Sequence, residues 1–272
     1  MISNYQIDAS SNIDNLKKFD PKDTASLAKI DIEDEMISLQ EKLIKLQDVF
    51  FAAKKRSLLI VLQGMDCSGK DGTVKKILAG LNPNGFSVES FKVPNSEEIG
   101  HDYLWRVHKK IPMRGNITVF NRSYYEDVLI TRIHKTINDK TAARRFREIR
   151  EFEKYLFNND TIILKFFLHI SKDFQESKLE SRLLSPEKYW KFSETDLHER
   201  NFWQQYQDCY SDVLANCSTK EAPWYVIPSD NRWFRDYLIL KIIVKTLDEL
   251  DLKYPELEGN VDALIHKLKA KK

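Results

Sequence analysis

The sequence predicts an α/β protein with three layers: a parallel five-stranded sheet, helices on both faces, and a helical segment inserted between the fourth and fifth strands. Three observations predict it. Short unbroken apolar runs alternate with stretches of helical period. The first of those runs empties into the glycine-rich loop 64–72. The segment 171–222 is charged, aromatic and helical in period, and contains no strand-like run.

Residues 1–24 are polar and rich in Ser, Asn, Asp and Lys, and read as a loose arm. Over 31–53 the apolar residues Ile32, Met36, Leu39, Leu43, Leu46 and Phe50 recur in steps of three and four, an amphipathic helix that either packs on the main domain or makes a subunit contact. Residues 58–63 form a continuous apolar run, as a parallel strand buried on both faces requires. Runs 117–120, 162–168 and 224–227 have the same character, and 87–93 is a weaker fifth. Helical periods fill 96–109, 141–157 and 233–250. The expected organisation is an arm and helix over 1–56, a main domain over 57–250 whose lid spans about 171–222, and a helical tail over 251–272.

At 272 residues with 42% hydrophobic content the chain can bury a substantial core. Its 43 basic and 41 acidic residues give a net charge of +2, so any anion site must come from local clustering. The three cysteines, Cys67, Cys209 and Cys217, form no CxxC pair, which argues against a disulfide framework or a zinc site and for a reducing compartment. Residues 1–14 hold no apolar h-region, and no apolar run approaches 18 residues. The expectation is a cytoplasmic protein without a membrane partner.

The strongest local signal is Gly64-Met65-Asp66-Cys67-Ser68-Gly69-Lys70-Asp71-Gly72-Thr73. Gly64, four residues, Gly69 and Lys70 match the phosphate-loop pattern between a predicted strand and a predicted helix. Glycines let the backbone curl so that its N–H groups form an anion nest, the helix adds its positive N-terminus, and Lys70 adds a mobile charge. Three of only eight glycines fall in this window. Asp71 stands where a Ser or Thr normally follows the lysine, and Asp66 lies inside the loop. Two acids beside bound phosphates call for an intervening Mg²⁺ and argue against an ordinary nucleoside triphosphatase. Asp66 could alternatively cap the following helix. Cys67 reads as a small loop residue, with a reactive thiol as the alternative because a helix N-terminus lowers thiol pKa.

The third strand empties into Asn121-Arg122-Ser123-Tyr124-Tyr125-Glu126-Asp127, which places Arg122 and Glu126 at the carboxyl edge of the sheet, where open α/β folds bind ligands. Arg122 can neutralise phosphate charge and Glu126 can share a metal with Asp66. Taken with Asn82-Pro83-Asn84-Gly85, Phe91-Lys92-Val93-Pro94, His101-Asp102-Tyr103-Leu104-Trp105-Arg106, Arg114-Gly115, Trp190-Lys191-Phe192-Ser193, Glu199-Arg200 and Ala222-Pro223-Trp224-Tyr225-Val226-Ile227-Pro228, the chain resembles the polyphosphate kinase type 2 family over about residues 30–250.

That resemblance implies a thymidylate-kinase-like P-loop kinase fold with a helical lid. It implies Mg²⁺-dependent phosphoryl transfer between polyphosphate and nucleoside mono- or diphosphates, and a homo-oligomer. It implies metal binding by Asp66 and Glu126 and a catalytic set of Asp66, Lys70, Asp71, Arg122 and Glu126. Gly64, Ser68, Gly69, Gly72, Thr73, Lys92 and Arg182 are the expected phosphate-binding residues. Lys178 stands where the family's lid leads one to expect arginine. AMP, ADP and GDP all stay open as acceptors, with a diphosphate favoured.

Polyphosphate should be held as a nucleic-acid backbone is, by Lys and Arg. Candidates are Lys75, Lys76, Arg106, Lys109, Lys110, Arg114, Arg132, Arg144, Arg145 and Arg147, and in the lid Arg182, Lys188, Lys191 and Arg200, among Tyr189, Trp190 and Trp203. Many of these must be plain solvated charges. Two other readings compete: an ATP-dependent nucleoside monophosphate kinase, and a non-catalytic polyphosphate or nucleic-acid binder. The acids in the anion site disfavour the binder, since repulsion of its own ligand gains it nothing.

Overall fold

The computed structural model describes residues 1–8 and 16–270. In chain order its strands are β1 (Gln6–Ile7), β2 (Ser57–Gln63), β3 (Phe86–Ser90), β4 (Ile117–Asn121), β5 (Thr161–His169) and β6 (Trp224–Pro228). Its helices are α1 (Glu33–Ala53), α2 (Lys70–Ile77), α3 (Ser96–Ile99), α4 (Trp105–His108), α5 (Ile130–Ile133), α6 (Asp139–Asn158), α7 (Lys172–Leu183), α8 (Glu194–Arg200), α9 (Trp203–Cys217), α10 (Arg232–Asp248) and α11 (Val261–Lys269). No described helix is long and apolar enough to cross a membrane.

The sheet has six strands in the order β1-β6-β5-β2-β4-β3, not five. The five expected strands are all parallel; the sixth, β1, runs antiparallel to β6 with Gln6 opposite Tyr225 and Ile7 opposite Trp224. The described part of the arm is therefore not loose. Tyr5, Ile7 and Leu16 are buried, and the Ser218 hydroxyl donates to the Ile7 carbonyl at 2.6 Å. Residues 9–15 of that expectation lie outside the described residues.

β2 is buried at every position and alternates between two cores, as a central strand should. Leu59 and Val61 join Phe120, Tyr125, Phe167 and the α6–α9 face. Leu58, Ile60 and Leu62 join Phe50, Phe234 and Leu238 beneath α1 and α10. The buried residues of α1, Leu43 and Phe50, thus pack on the main domain, and Glu35 accepts from Tyr237 at 2.6 Å and pairs with Lys241 at 2.6 Å.

Two helical expectations change. The 96–109 stretch breaks into α3 and α4, because the Asp102 carboxylate accepts from the amides of Leu104 and Trp105 and starts a new turn. The 171–222 segment is not uniformly peripheral either. Its first part, α7, a 3₁₀ turn at Pro186–Lys191 and α8, overhangs the carboxyl edge of the sheet, whereas α9 buries Tyr206, Tyr210, Val213 and Leu214 in the core. The tail carries α11, exposed along its whole length.

Candidate active site

β2 and β4 lie side by side, with Leu62 opposite Asn121, so the loops that leave them meet at the carboxyl edge. The phosphate loop follows β2. Gly64 has no room for a side chain: a Cβ there would sit 2.7 Å from the Leu168 carbonyl oxygen and 2.8 Å from Ser68 Oγ. Gly69 is left-handed at φ +95° and is the N-cap of α2, with no side chain capping it. Asp66 therefore does not cap the helix. It faces Arg122 instead, with Arg122 Nη2 donating to Asp66 Oδ1 at 2.6 Å and Arg122 Nη1 reaching Glu126 Oε2 at 3.5 Å.

Arg122 thus joins the two carboxylates expected to hold metal. Burial acts against its charge, but Glu126 and Asp66 outweigh burial and hold its pKa above the ordinary value. Lys70 folds back over the loop and donates to the carbonyls of Gly64 at 2.7 Å and Met65 at 3.2 Å. Burial, helped by Arg122, lowers its pKa to about 8 against the pull of Asp66, Glu126 and Asp71. It still carries its proton at neutral pH. Asp71 is exposed on the first turn of α2, and its Oδ1 accepts from Asn121 Nδ2 at 2.7 Å.

Ser68 and Thr73 are fully buried, and their hydroxyl oxygens have no hydrogen-bond partner. Buried polar atoms are rarely left so. Gly72 and Lys92 line the cleft in front of the loop, and the Lys92 carbonyl accepts from Arg106 at 2.9 Å. Arg182 reaches the same cleft from α7, held by the Lys191 carbonyl at 2.9 Å and Asp196 at 3.0 Å. Lys178, where arginine was expected, also lines the cleft, its ammonium 4.6 Å from the Phe174 ring centroid. The structure brings all twelve expected site residues to one loop and the walls of one cleft.

Cys67 fits its reading as a small loop residue, and the reactive-thiol alternative finds no support. Burial raises its thiol to about 11, although Arg182 pulls the other way. Desolvation exceeds the lowering expected of a helix start, so the thiol is not activated.

The cleft has a volume of about 1580 Å³ and extends in two directions from the loop. On the lid side it meets Arg182, Lys188, Lys191 and Arg232. On the other it runs past Tyr103, Arg106, Arg144 and Arg145 to Asp127. Asp127 lies 4.0 Å from Arg106 and 3.9 Å from Arg145, and burial nevertheless lifts its pKa to about 6. Several other basic candidates are spent on neighbours: Lys110 on Glu89, Arg114 on Asp160, Arg132 on Asp139 and Asp212, and Arg200 on Glu176. Trp190 lines the cleft at 77% exposure, so it is not a packing residue.

Sequence reasoning missed Arg235. It is 3% exposed, and its Nη1 donates to the Ser68 carbonyl at 3.2 Å. A Cβ on Gly69 would lie 2.0 Å from the same nitrogen. Its signal was an arginine set, beside Asp236, between the aromatic residues Phe234 and Tyr237. Gln175 was missed too; its Nε2 donates to the Asp66 carbonyl at 3.1 Å and ties the lid to the loop.

Among the described residues, no three or more His, Cys, Asp or Glu side chains gather as a ready-made metal cage. Asp66 and Glu126 offer two carboxylates at the cleft, joined through Arg122. That donor set fits Mg²⁺, which takes one or two carboxylates and completes its shell with water and substrate phosphate.

Residues 26–255 match the sequence profile of a family described as polyphosphate kinase 2 (PPK2). The chain is 44% identical over 252 residues to an AMP/ADP-polyphosphate phosphotransferase of Meiothermus ruber, covering 92% of this chain and 94% of that one. It is 42% identical over 228 residues to an ADP-polyphosphate phosphotransferase of Rhodopseudomonas palustris, covering 79% of each. A solved structure of polyphosphate kinase 2 from Arthrobacter aurescens superposes with a TM-score of 0.90 at 36% identity, covering 94% of this chain and 93% of that one. With the profile spanning most of its length, this chain belongs to the polyphosphate kinase 2 family.

Proposed function

We propose that this protein transfers phosphoryl groups between inorganic polyphosphate and nucleoside mono- or diphosphates, with Mg²⁺, on a thymidylate-kinase-like P-loop scaffold whose lid is built from α7 and α8. The observation that carries the reading is the junction of Asp66, Arg122 and Glu126 in front of Lys70, at the middle of a cleft with basic walls on both sides. One anion fits each arm, and the loop lies where their ends would meet.

The reaction needs little covalent chemistry from the protein. A terminal oxygen of the acceptor nucleotide attacks the end phosphorus of polyphosphate. The bridging P–O bond breaks, its electron pair leaves with the polymer, and the polymer is one phosphate shorter. Lys70 and Arg122 supply fixed positive charge for the oxygens of the loose transition state. Arg182, Lys188, Lys191 and Arg232 hold the polymer on the lid side. Arg106 and Arg145 hold acceptor phosphates on the other. Asp71 orients the acceptor end through Asn121. Mg²⁺, held by Asp66 and Glu126, neutralises phosphate oxygens when bound.

The chain also assembles as a homo-oligomer in this reading, which light scattering on the purified protein tests. The donor is tested by offering AMP, ADP and GDP separately with polyphosphate or with ATP. Polyphosphate should serve, and EDTA should abolish product. Product from ATP alone would favour the monophosphate kinase, and Asp71 in place of Ser or Thr after Lys70 stands against that outcome.

A further inference from the structure

Arg122 adopts a left-handed backbone, φ +62°, as a non-glycine residue at the junction of the site. Such a conformation is strained for a residue with a side chain and persists where the surroundings over-determine it. The next residues show what does so. Ser123, Tyr124 and Tyr125 are fully buried, and the Ser123 hydroxyl accepts from the Tyr125 amide at 3.2 Å. Both tyrosine hydroxyls donate to one oxygen, Glu153 Oε1, at 2.7 and 2.8 Å. Glu153 Oε2 pairs with Lys165 Nζ at 2.6 Å, and Lys165 also reaches Tyr125 Oη at 3.0 Å and the Cys217 carbonyl at 2.6 Å. Glu153 and Lys165 are wholly shielded from solvent.

An ion pair in an apolar interior is weak support for stability, because desolvation offsets the Coulomb gain. This one joins α6, β5 and the end of α9 directly beneath the turn whose two ends are Arg122 and Glu126.

We propose that Glu153, held by Lys165, is a positioning residue for phosphoryl transfer: through Tyr124 and Tyr125 it fixes the strained turn that sets Arg122 against Asp66 and Glu126. The inference rests on the reading of Arg122 and Glu126 as phosphate and metal residues.

The test is the Tyr124→Phe/Tyr125→Phe protein, which keeps both rings and the Glu153–Lys165 pair and removes the two donors to Glu153 together with the Lys165 contact to Tyr125 Oη. Removing outer hydrogen bonds to metal residues costs about 10- to 100-fold in affinity or activity, and because these two bonds end on Glu153, one step further out, the lower end of that range applies. A change of that size is expected in kcat and in the Mg²⁺ concentration at half-maximal rate, with faster hydrogen exchange at amides 122–128 in the metal-free protein. The single Tyr→Phe proteins, each keeping one donor on Glu153, should move the same way by less and carry the test if the double variant does not fold. Tyr5→Phe deletes a tyrosine–carboxylate bond of similar length, to Asp23 at 2.7 Å, beside the edge strand β1. It should leave all three readouts unchanged. A folded double variant with normal exchange and an unaltered Mg²⁺ requirement, beside a Glu126→Gln protein that has lost turnover, would overturn this inference alone. Normal turnover in Glu126→Gln and Arg122→Ala would overturn the reading of the site and this inference with it.

Discussion

Arg122 bridges two carboxylates 56 and 4 residues away, and its neighbours pin its backbone in the left-handed region. Replacing it with alanine removes the planar fork and leaves Asp66 and Glu126 to repel each other. By comparison with other arginine clamps on transferring phosphoryl groups, kcat should fall about a thousandfold or more, read in a steady-state assay. Gly69→Ala is a second test at this scale. The left-handed φ alone costs roughly 1–2 kcal/mol, and the new Cβ meets Arg235. The expected outcome is a lower Tm together with a raised KM for polyphosphate. What the sequence made legible here was chemical type: Gly64, Asp66, Gly69 and Lys70 follow one another in the phosphate-loop pattern. What it hid was reach. Arg235 meets Ser68 across 167 positions, and nothing local to the loop announces it. The reactive-thiol alternative for Cys67 arose because a helix start is visible in sequence and desolvation is not.

At the scale of elements, β2, β4, β5 and β6 were easy to see because both faces of each are largely buried, so each reads as a solid apolar run, whereas the parallel edge strand β3 is exposed or half-buried throughout and reads only weakly. β1 was not, since two residues, one of them Gln6, carry no periodicity and owe their strand to the exposed edge of β6. The same arm touches the end of β5. His169 is 6% exposed, and burial lowers its pKa from 6.5 to about 4, although its hydrogen bond to the Phe19 backbone and the nearby Asp230 and Asp20 oppose the change. The folded protein therefore binds fewer protons than the unfolded chain below pH 6.5. This contribution to stability is fully present above 6.5 and is lost as pH falls through about 4. At about 1.4 kcal/mol per pH unit the window corresponds to roughly 3 kcal/mol. Chemical denaturation at pH 7, 5.5 and 4 should show the fall, and His169→Gln should flatten it; parallel curves for the two proteins would contradict the assignment.

For the whole molecule, a formal charge of +2 conceals a strongly sorted surface. Surface residues such as Arg114 and Lys110 pair with acids away from the cleft, while Arg182, Lys188, Lys191 and Arg232 line the cleft together, Arg182 sharing its charge with Asp196 and Lys188 with Glu187. Polyphosphate affinity should accordingly fall steeply and linearly on a log–log plot against salt, by counterion release, and charge-removing substitutions in this group should each reduce the slope by about one. A slope near zero in a titration between low and physiological salt would contradict binding along that wall. The central claim, phosphoryl transfer from polyphosphate to a nucleotide at the Asp66–Arg122–Glu126 junction, is tested most directly by phosphorus NMR of the purified protein with Mg²⁺, polyphosphate and ADP, without added ATP. The account predicts one terminal phosphate lost from the polymer for each ATP formed, with no orthophosphate released. Orthophosphate accumulating without ATP, or an unchanged polymer, would contradict it.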